Sequence, residues 1–561
     1  MSDNTQKLSH NEVIKEANPT LAGTIAQTLE DPAVDRFVDD DTQFLKFHGI
    51  YQQDDRDVRK TGKKFMFMVR TKFPGGVLTG DQYLVCDELA TKYANNTIRA
   101  TTRQGFQFHG IIKSGLRQTI KELNESLVST IAACGDVERN VMAPPTPATS
   151  SLVDQVLDCA ADLARVLCPQ TPAYHRIWVE GKPLDLNADT NRDFVDPLYG
   201  KTYLPRKFKT GLAIPPLNDT DIFTNDLGFV AIAEDGRLVG FNILVGGGMG
   251  MTHGNEETFP RLADILGFIK PEHMLESAKT VVTIHRDFGD RANRKHARLK
   301  YVLEDRGVKW FREEFERRAG IQLEPARPFT FDRQGDLLGW HRQTNGKYFL
   351  GLFVENGRIQ DADGRNLKSG LRQVVESFRP QVRVTPSQNV LLIDIPEEQR
   401  DEMSRMLHEH GVSTSNPFSR SRLASMACPA LPTCGLALAE SERVLPDILT
   451  GFEGLLNELG LKDEEIIIRM TGCPNGCARP FMAEIALVGR APNKYHLFLG
   501  GNESSTRLNR LFKQNVKSDE ILTELKSVLA RFAQERNADE RFGDWSHRAL
   551  WSEDEVASLR N

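Results

Sequence analysis

The sequence has no long apolar run and no marked excess of charge of either sign. It contains no stretch of about 18 apolar residues, so it predicts no membrane-spanning helix. Residues 1–20 are polar and lack the apolar core of a secretory signal, which makes a cytoplasmic protein the expectation. The 71 basic and 77 acidic residues nearly balance, and no block of like charge stands out. The composition therefore does not indicate nucleic-acid binding.

Several nucleotide, haem and metal motifs are also missing. The sequence contains no P-loop, no C-x-x-C-H and no H-E-x-x-H. The glycine-rich run 245–250 does not complete the dinucleotide pattern, because the last required glycine falls at His253. This run is either a loop that lets the backbone approach a flat cofactor or a plain tight turn. Since no nicotinamide or flavin site is evident, electrons for any redox chemistry must come from a partner protein.

Cysteine is scarce but unevenly placed. The 561 residues contain eight cysteines, too few for a disulfide scaffold. Four of them form two pairs, Cys428 with Cys434 and then, after a gap of 38 residues, Cys473 with Cys477. Two pairs of thiolates are the usual protein ligands of a 4Fe–4S cluster. Zinc stays open as the alternative, although structural zinc sites mostly use tighter pairs than C-x5-C.

Two distant segments, 98–106 and 382–390, repeat one pattern. Each follows a glycine turn and an amphipathic, helix-like run, so each copy is predicted to be a strand–turn–helix–strand unit. The sequence therefore predicts a multi-domain α+β fold with an internal pseudo-twofold duplication, against the alternative of a chance likeness between short strands. The predicted divisions are an N-terminal extension, a first half-module, a middle domain, a second half-module and a cysteine-bearing domain with a helical tail, at residues 1–64, 65–126, 127–329, 330–397 and 398–561.

A cationic face is predicted on the first repeat strand. Because alternate side chains of a strand point to opposite faces, Arg99, Arg103 and His109 share one side. The second copy has Ser387 in place of Arg103. We therefore expect the first half to bind an anion and the second half to serve as scaffold.

Further cations stand at the ends of apolar segments, namely Arg70, Arg139, Lys207 and Lys209. Such positions are costly for a charge unless an anion meets it. Each alone is explained by a solvated strand end or a salt bridge. Together they predict a large anionic ligand or a small oxyanion in a dry pocket. The basic run 286–300 has helical spacing and is predicted to be a solvated helix face, with a contact to cofactor carboxylates or to a partner as the alternative.

These motifs resemble the sirohaem-dependent nitrite and sulfite reductases. The resemblance rests on the cysteine spacing with its Cys-Pro-Asn-Gly-Cys run at 473–477, on Pro-Gly-Gly at 74–76, on the Thr-x-Arg-Gln run at 101–104 and on the segment 204–209. The segment 47–57 is similar to that of the haemoprotein beta subunits of assimilatory NADPH–sulfite reductases. The resemblance covers the chain from about residue 40 to its C-terminal region.

The resemblance implies a fold, two cofactors and a set of site residues. It implies two ferredoxin-like half-modules and two domains that hold sirohaem and a 4Fe–4S cluster between them. Four cysteines hold the cluster in that family, and one thiolate also binds the sirohaem iron; by motif position this residue is Cys477. Sulfite is then bound by Arg70, Arg139, Lys207 and Lys209. Sirohaem, which carries eight carboxylates, is met by Arg99, Arg103, Gln104, His109 and Cys477.

The implied activity is the six-electron reduction of sulfite to sulfide for cysteine biosynthesis. Electrons come from NADPH through a flavoprotein alpha subunit. Two related enzymes remain as alternatives: a nitrite reductase of the same architecture and a ferredoxin-dependent sulfite reductase. A non-catalytic binding protein stabilised by zinc is the alternative from a different class.

Overall fold

The computed structural model describes residues 7–147, 152–171, 173, 177–179, 182–184, 193–415 and 417–552. Helices α1 to α14 span His10–Ala17, Ile25–Glu30, Asp39–Phe47, Gly80–Lys92, Lys113–Glu125, Val153–Val166, Met274–Phe288, Leu299–Ala319, Leu367–Phe378, Arg400–Glu409, Arg420–Leu423, Leu445–Glu458, Ile521–Glu535 and Phe542–Ala549. No helix in these ranges combines the length and the apolar character needed to cross a bilayer.

Strands β1 to β23 span Ile50–Asp54, Phe65–Arg70, Val77–Leu78, Ile98–Ala100, Phe106–Ile111, Ile177–Val179, Lys182–Leu184, Thr210–Ala213, Leu227–Glu234, Arg237–Val245, Asp264–Ile269, Gly339–Arg342, Tyr348–Leu352, Arg358–Ile359, Asp361–Ala362, Arg365–Asn366, Gln381–Val384, Val390–Ile395, Met426–Ala427, Ile468–Thr471, Ile485–Ala491, Lys494–Leu499 and Arg510–Lys517.

Two five-stranded sheets form the centre, and each takes one edge strand from the other half of the chain. The first sheet has the order β1-β2-β5-β4-β14 and the second has β12-β13-β18-β17-β3. Strand β14 of the second repeat pairs with β4, and β3 of the first repeat pairs with β17. The edge strands supply hydrogen bonds that each half would otherwise leave unmade. The two halves consequently share one hydrophobic core, to which both repeats contribute side chains.

The two repeats also share equivalent hydrogen bonds in their turns. The amide of Thr101 donates to the carbonyl of Gly105 at 3.0 Å, and the amide of Thr385 donates to that of Asn389 at 2.9 Å. Gln104 and its counterpart Gln388 both have positive φ, at 54° and 71°. The predicted α+β fold with a pseudo-twofold repeat is confirmed. The repeat strand is a hairpin rather than the single strand predicted, because the glutamine in the left-handed region turns the chain between β4 and β5.

Helix α4 of the first repeat begins directly after the exchanged strand β3. Thr79, which follows β3, caps α4 with a reciprocal pair of hydrogen bonds to Gln82: the Gln82 amide donates to Thr79 Oγ1 at 3.2 Å, and the Thr79 amide donates to Gln82 Oε1 at 3.0 Å. Helix α4 then packs against α9, the corresponding helix of the second repeat. In the second repeat the strands β15 and β16 stand between the exchanged strand β14 and α9.

Two further sheets flank this centre. The sheet β11-β10-β9-β8 packs with α6, α7 and α8 around one core, and the sheet β19-β20-β21-β22-β23 packs with α12, α13 and α14 around another. Strand β1 lies within the predicted extension 1–64 yet pairs with β2. The division into five domains stays a prediction, and residues 1–6 and 553–561 lie outside the described residues.

The basic run 286–300 is not a helix face, so that prediction is wrong. Helix α7 ends at Phe288 and α8 begins at Leu299, with a loop between them. The Asp290 side chain accepts the amides of Ala292 and Asn293 at 2.8 and 2.7 Å, which holds the chain in a turn.

The strand exchange predicts a large cost for a side chain at Gly76. This residue has φ +76°, and a Cβ there would overlap the carbonyl oxygen of Val384 on β17. Gly364 has φ +77° with no atom within 4 Å of a Cβ, so it isolates the backbone strain. We expect Gly76→Ala to lower stability by about 1–3 kcal/mol more than Gly364→Ala does. Thermal unfolding measures the difference, and equal midpoints would contradict the role of the exchanged strand.

Candidate functional site

The two cysteine pairs begin just after two neighbouring strands of the sheet β19-β20-β21-β22-β23. Cys428 directly follows β19, and Cys473 follows β20 with only Gly472 between them. These strands are parallel neighbours, so their carboxyl ends meet at the same edge. Cys434 is returned to this edge by a turn in which its amide donates to the carbonyl of Ala430 at 2.8 Å. The local fold therefore brings both cysteine pairs together.

The thiols interact with one another electrostatically. Burial raises the pKa of Cys473 to about 11, and it raises the pKa of Cys428 further. The Cys477 thiol is the next largest cause for both. The amide of Gly472 donates to Cys428 Sγ at 3.3 Å, a contact of the kind that tunes cluster potentials. A bound metal would displace the thiol protons and use these sulfurs as thiolates.

The four thiols lie close enough to act on one another electrostatically. In the part of the chain that the structure describes, no three His, Cys, Asp or Glu side chains are grouped as ligands of one metal ion. The choice between a 4Fe–4S cluster and zinc therefore depends on the spacing of the cysteines and on the relatives of the chain rather than on this geometry.

Cys477 lies where three parts of the chain meet. Its side chain is exposed, whereas Cys428 and Cys473 are buried. Its carbonyl accepts a hydrogen bond from Thr102 Oγ1 at 2.9 Å, in the turn between β4 and β5. The amide of Met251, just after the glycine-rich run, donates to the carbonyl of Pro474 at 2.9 Å. The run 245–250 is therefore a loop that reaches the cysteine segment.

Lys207 and Lys209 are crowded by other cations. Both side chains are half-buried, and neither has a hydrogen bond or ion pair with the residues that the structure describes. Burial first, and then Arg298 and Arg139, lower the pKa of Lys207 to about 7. Burial and Lys207 hold the pKa of Lys209 well below its usual range. The Cys477 thiol partly offsets both shifts, so the two lysines and this cysteine belong to one site.

Arg70 and Arg139 are both held by the same pair of side chains. Arg70 Nη1 donates to Cys134 Sγ at 2.9 Å, and its guanidinium lies 5.9 Å from the Tyr51 ring centre. Burial opposes the charge of Arg139, but Tyr51 and Cys134 hold the pKa of Arg139 above its usual range. Burial raises the pKa of Tyr51 as well. Tyr51 and Cys134 are site residues that the sequence did not suggest, because neither residue belongs to a motif of charge or metal binding.

Arg103 spans the first repeat and the middle domain. Its Nη1 donates to Asn225 Oδ1 at 3.0 Å and its Nη2 to the carbonyl of Thr210 at 2.7 Å. Burial lowers the pKa of Arg103 to about 10. Burial also raises the pKa of its neighbour Glu138 to about 7, although Arg103 opposes that shift. Arg103 Nε and Glu138 Oε2 are buried without a partner among the described residues.

The other predicted cofactor residues differ in how many hydrogen-bond or ion-pair partners they have within the protein. Arg99 pairs with Glu442, and Gln104 Nε2 donates to three carbonyls, of which that of Val384 lies 3.1 Å away. His109 is buried, and burial holds its pKa well below the usual range. Its Nδ1 has no partner in the described part of the chain. Contact of these three residues with a cofactor stays a prediction.

The basic run supplies residues that the sequence analysis misplaced. Arg298 donates to both oxygens of the buried Asp226, at 3.1 and 2.7 Å. Lys300 Nζ donates to the carbonyls of Gly248 and Gly250 at 3.2 and 2.9 Å. These cations fix the glycine-rich loop beside the site. Gly289, directly after α7, is the sequence signal that favoured a loop here.

Fold and site together define a duplicated α+β redox protein whose paired cysteines adjoin a cationic pocket. Two family models match the sequence. The nitrite/sulfite reductase ferredoxin-like half domain matches residues 58–126 and 341–410, and the nitrite and sulphite reductase 4Fe-4S domain matches residues 160–323. The chain belongs to the nitrite and sulphite reductase family. The ferredoxin-like halves are confirmed, whereas the four cysteines lie outside the matched residues.

The chain is similar over its whole length to curated relatives named sulfite reductase (NADPH) hemoprotein beta-component. It is 46% identical to that of Oceanobacillus iheyensis, covering 100% of this chain and 97% of the relative. It is 47% identical to that of Myxococcus xanthus, covering 98% of both. The solved structure of Mycobacterium tuberculosis NirA superposes with a TM-score of 0.79 at 24% identity, covering 99% of this chain and 98% of that one, and supports the fold. The resemblance drawn from the motifs is confirmed.

The position of Cys477 predicts the effect of its removal. We expect Cys477→Ser to lower the bound iron and to change or abolish the visible absorption, because this thiol joins the cysteine cluster to the cationic pocket. Cys159→Ser, on α6, is the matched control and should keep both. Iron analysis and absorption spectra of the purified proteins give the comparison. Wild-type iron and absorption in Cys477→Ser would refute the assignment.

Proposed function

We propose that this chain reduces sulfite to sulfide in the cytoplasm, with sirohaem and a 4Fe–4S cluster as cofactors and electrons passed from NADPH by a flavoprotein alpha subunit. The observation that carries the proposal is the position of Cys477, which is exposed and whose carbonyl accepts a hydrogen bond from Thr102 Oγ1 at 2.9 Å, and whose thiol acts electrostatically on Lys207 and Lys209. The name of the relatives, which specifies sulfite, NADPH, a hemoprotein and a beta-component, supports the substrate, the electron source and a partner.

The residues fit both cofactors. Polar atoms that are buried without a partner among the described residues include Arg103 Nε, Lys72 Nζ and His109 Nδ1. Such donors, in a pocket crowded with cations, suit a haem that carries many carboxylates. Cys428, Cys434, Cys473 and Cys477 would hold the cluster, and Cys477 would also meet the haem iron. When bound, these groups supply the electrons and the iron that receives the substrate.

The chain's own cations bind and orient the substrate anion. Lys207, Lys209, Arg70 and Arg139 would hold the sulfite oxygens. Like charges in a dry site repel one another, so an anion among them is favoured strongly. The arginines stay charged throughout and serve as clamps, whereas a lysine with a lowered pKa gives up its proton readily.

Proton supply is the second task of these side chains. The balanced reaction is HSO3⁻ + 6 H⁺ + 6 e⁻ → HS⁻ + 3 H2O, so each oxygen leaves as water after two protonations. Lys207, whose pKa is about 7, is half-protonated near neutral pH and can be reloaded from solvent between steps. Nitrite is the second candidate substrate, since the matched family includes nitrite reductases and the same cations suit that anion.

Sulfide release from sulfite, driven by reduced viologen, tests the proposed function directly. Viologen replaces the partner, so the result depends on this chain alone. We expect a coloured, iron-containing protein that forms sulfide with a higher kcat/KM than it shows for nitrite. A preference for nitrite would assign the chain to the nitrite reductases, and a colourless zinc protein without turnover would refute the proposal.

The pKa of Lys207 predicts a pH dependence. The lysine is cationic below its pKa and neutral above it. Bound anions raise that pKa above the value of about 7 that holds without them, so kcat/KM for sulfite should fall as the pH rises above neutrality. Lys207→Arg stays charged and should move the fall to higher pH. Lys207→Met should keep the cofactors and lose turnover by roughly 10²-fold or more.

Lys201→Met, at an exposed position on the same segment, is the control for the lysine variants. The ionisation of sulfite itself is the same for the wild type, the two Lys207 variants and Lys201→Met. It therefore cancels when their pH profiles are compared. A wild-type rate in Lys207→Met, or a profile unchanged in Lys207→Arg, would show that Lys207 has no part in the reaction.

A further inference from the structure

The loop between β1 and β2 forms an unpaired basic surface. Residues 55–64, called the basic loop below, contain five basic and two acidic residues. Arg59 is neutralised by Asp54, with Nη2 and Oδ1 2.7 Å apart. The three lysines of the loop are exposed and form no ion pair with the residues that the structure describes: Lys60, Lys63 and Lys64.

The basic loop is fastened to the segment that carries Cys434. The Arg56 amide donates to the carbonyl of Pro432 at 3.4 Å, and Arg56 Nη1 donates to the carbonyl of Cys434 at 3.3 Å. The same guanidinium donates to the carbonyl of Ala437. The loop therefore sits over the backbone around one cluster cysteine.

An exposed leucine adjoins this contact. Leu436 lies between Cys434 and Ala437 and is 67% exposed, although most large apolar side chains of the chain are covered. Cys434 itself is only half-buried, so this segment brings a cysteine of the proposed ligand set near the surface beside an exposed apolar side chain.

Electron transfer between proteins needs two redox centres close together, because the rate falls steeply with distance. A donor must therefore approach the surface nearest to the cluster and away from the substrate pocket. An apolar centre with a charged rim is the usual composition of a transient interface. Charges on the rim mainly set the rate of association and its dependence on salt.

We propose that the basic loop and Leu436 are the docking surface for the electron donor. This proposal rests on the proposed function. The donor that fits is a flavin-bearing domain of the partner flavoprotein with acidic side chains around its flavin. The lysines attract that face, and Leu436 makes the desolvated contact beside Cys434.

Reversing the charge of the loop separates docking from chemistry. In the triple variant Lys60→Glu, Lys63→Glu, Lys64→Glu we expect unchanged sulfide formation with reduced viologen. With NADPH and the flavoprotein subunit of an NADPH–sulfite reductase, turnover should fall at least tenfold at low salt. The wild-type rate should decline with added salt, whereas the variant should lose most of that dependence.

A triple variant with the same change of charge on other surfaces is the control, and should match wild type in both assays: Lys121→Glu, Lys270→Glu, Lys309→Glu. If the wild-type protein forms no sulfide with reduced viologen, the result counts against the proposed function rather than against the docking surface. Flavoprotein-driven turnover that is equal in the two triple variants would overturn the docking surface.

A structural readout complements the rates. Zero-length carbodiimide cross-linking joins lysines to carboxylates that touch them, and mass spectrometry of the holoprotein mixed with the flavoprotein locates the linked peptides. We expect links from the basic loop to acidic residues beside the flavin site, lost in the loop variant. Links confined to other surfaces of this chain would refute the proposal.

Discussion

The exchange of edge strands between the two central sheets is the constraint on which the rest of the structure depends. Because β3 lies in the second sheet and β14 in the first, the two repeats cannot slide past each other without losing backbone hydrogen bonds. Gln104 strengthens this register, since its amide bridges carbonyls from both halves. The turn that contains it also carries Thr102, which meets the carbonyl of Cys477. The position of the cysteine segment relative to the cationic pocket thus follows from the strand exchange.

The charges of the site are arranged in two layers. Carboxylates such as Asp136 and Asp226 pair with Arg294 and Arg298, which support the pocket. Lys207 and Lys209 have no such partner within the described residues, and burial first, then the neighbouring cations, lower their pKa values. The fold stores this repulsion because many packed residues fix the cations in place. An anionic substrate or cofactor reduces the repulsion between the cations when it binds.

Much of the site could be predicted from the sequence because its signals are local. The cysteine spacing, the repeated turn and the shared parity of Lys207 and Lys209 all lie within short segments. The rest depends on contacts between distant residues. The burial of Arg298 is explained by its ion pair with Asp226, 72 residues away, and that of Arg99 by its ion pair with Glu442, 343 residues away. Helical spacing in the basic run was misleading because Asp290 closes a turn there, and periodicity alone does not report a side chain's partner.

The strand exchange also has a consequence for biosynthesis. The edge of β4 stays open until residues 358–359 have left the ribosome, because β14 is the strand that covers it. Between the emergence of β4 and that of β14 the nascent chain therefore carries a bare sheet edge, a template for pairing with other chains. Folding of the first repeat is tied to synthesis of the second, and the pocket for the cofactors closes only afterwards. Each repeat therefore depends on the other to complete its sheet.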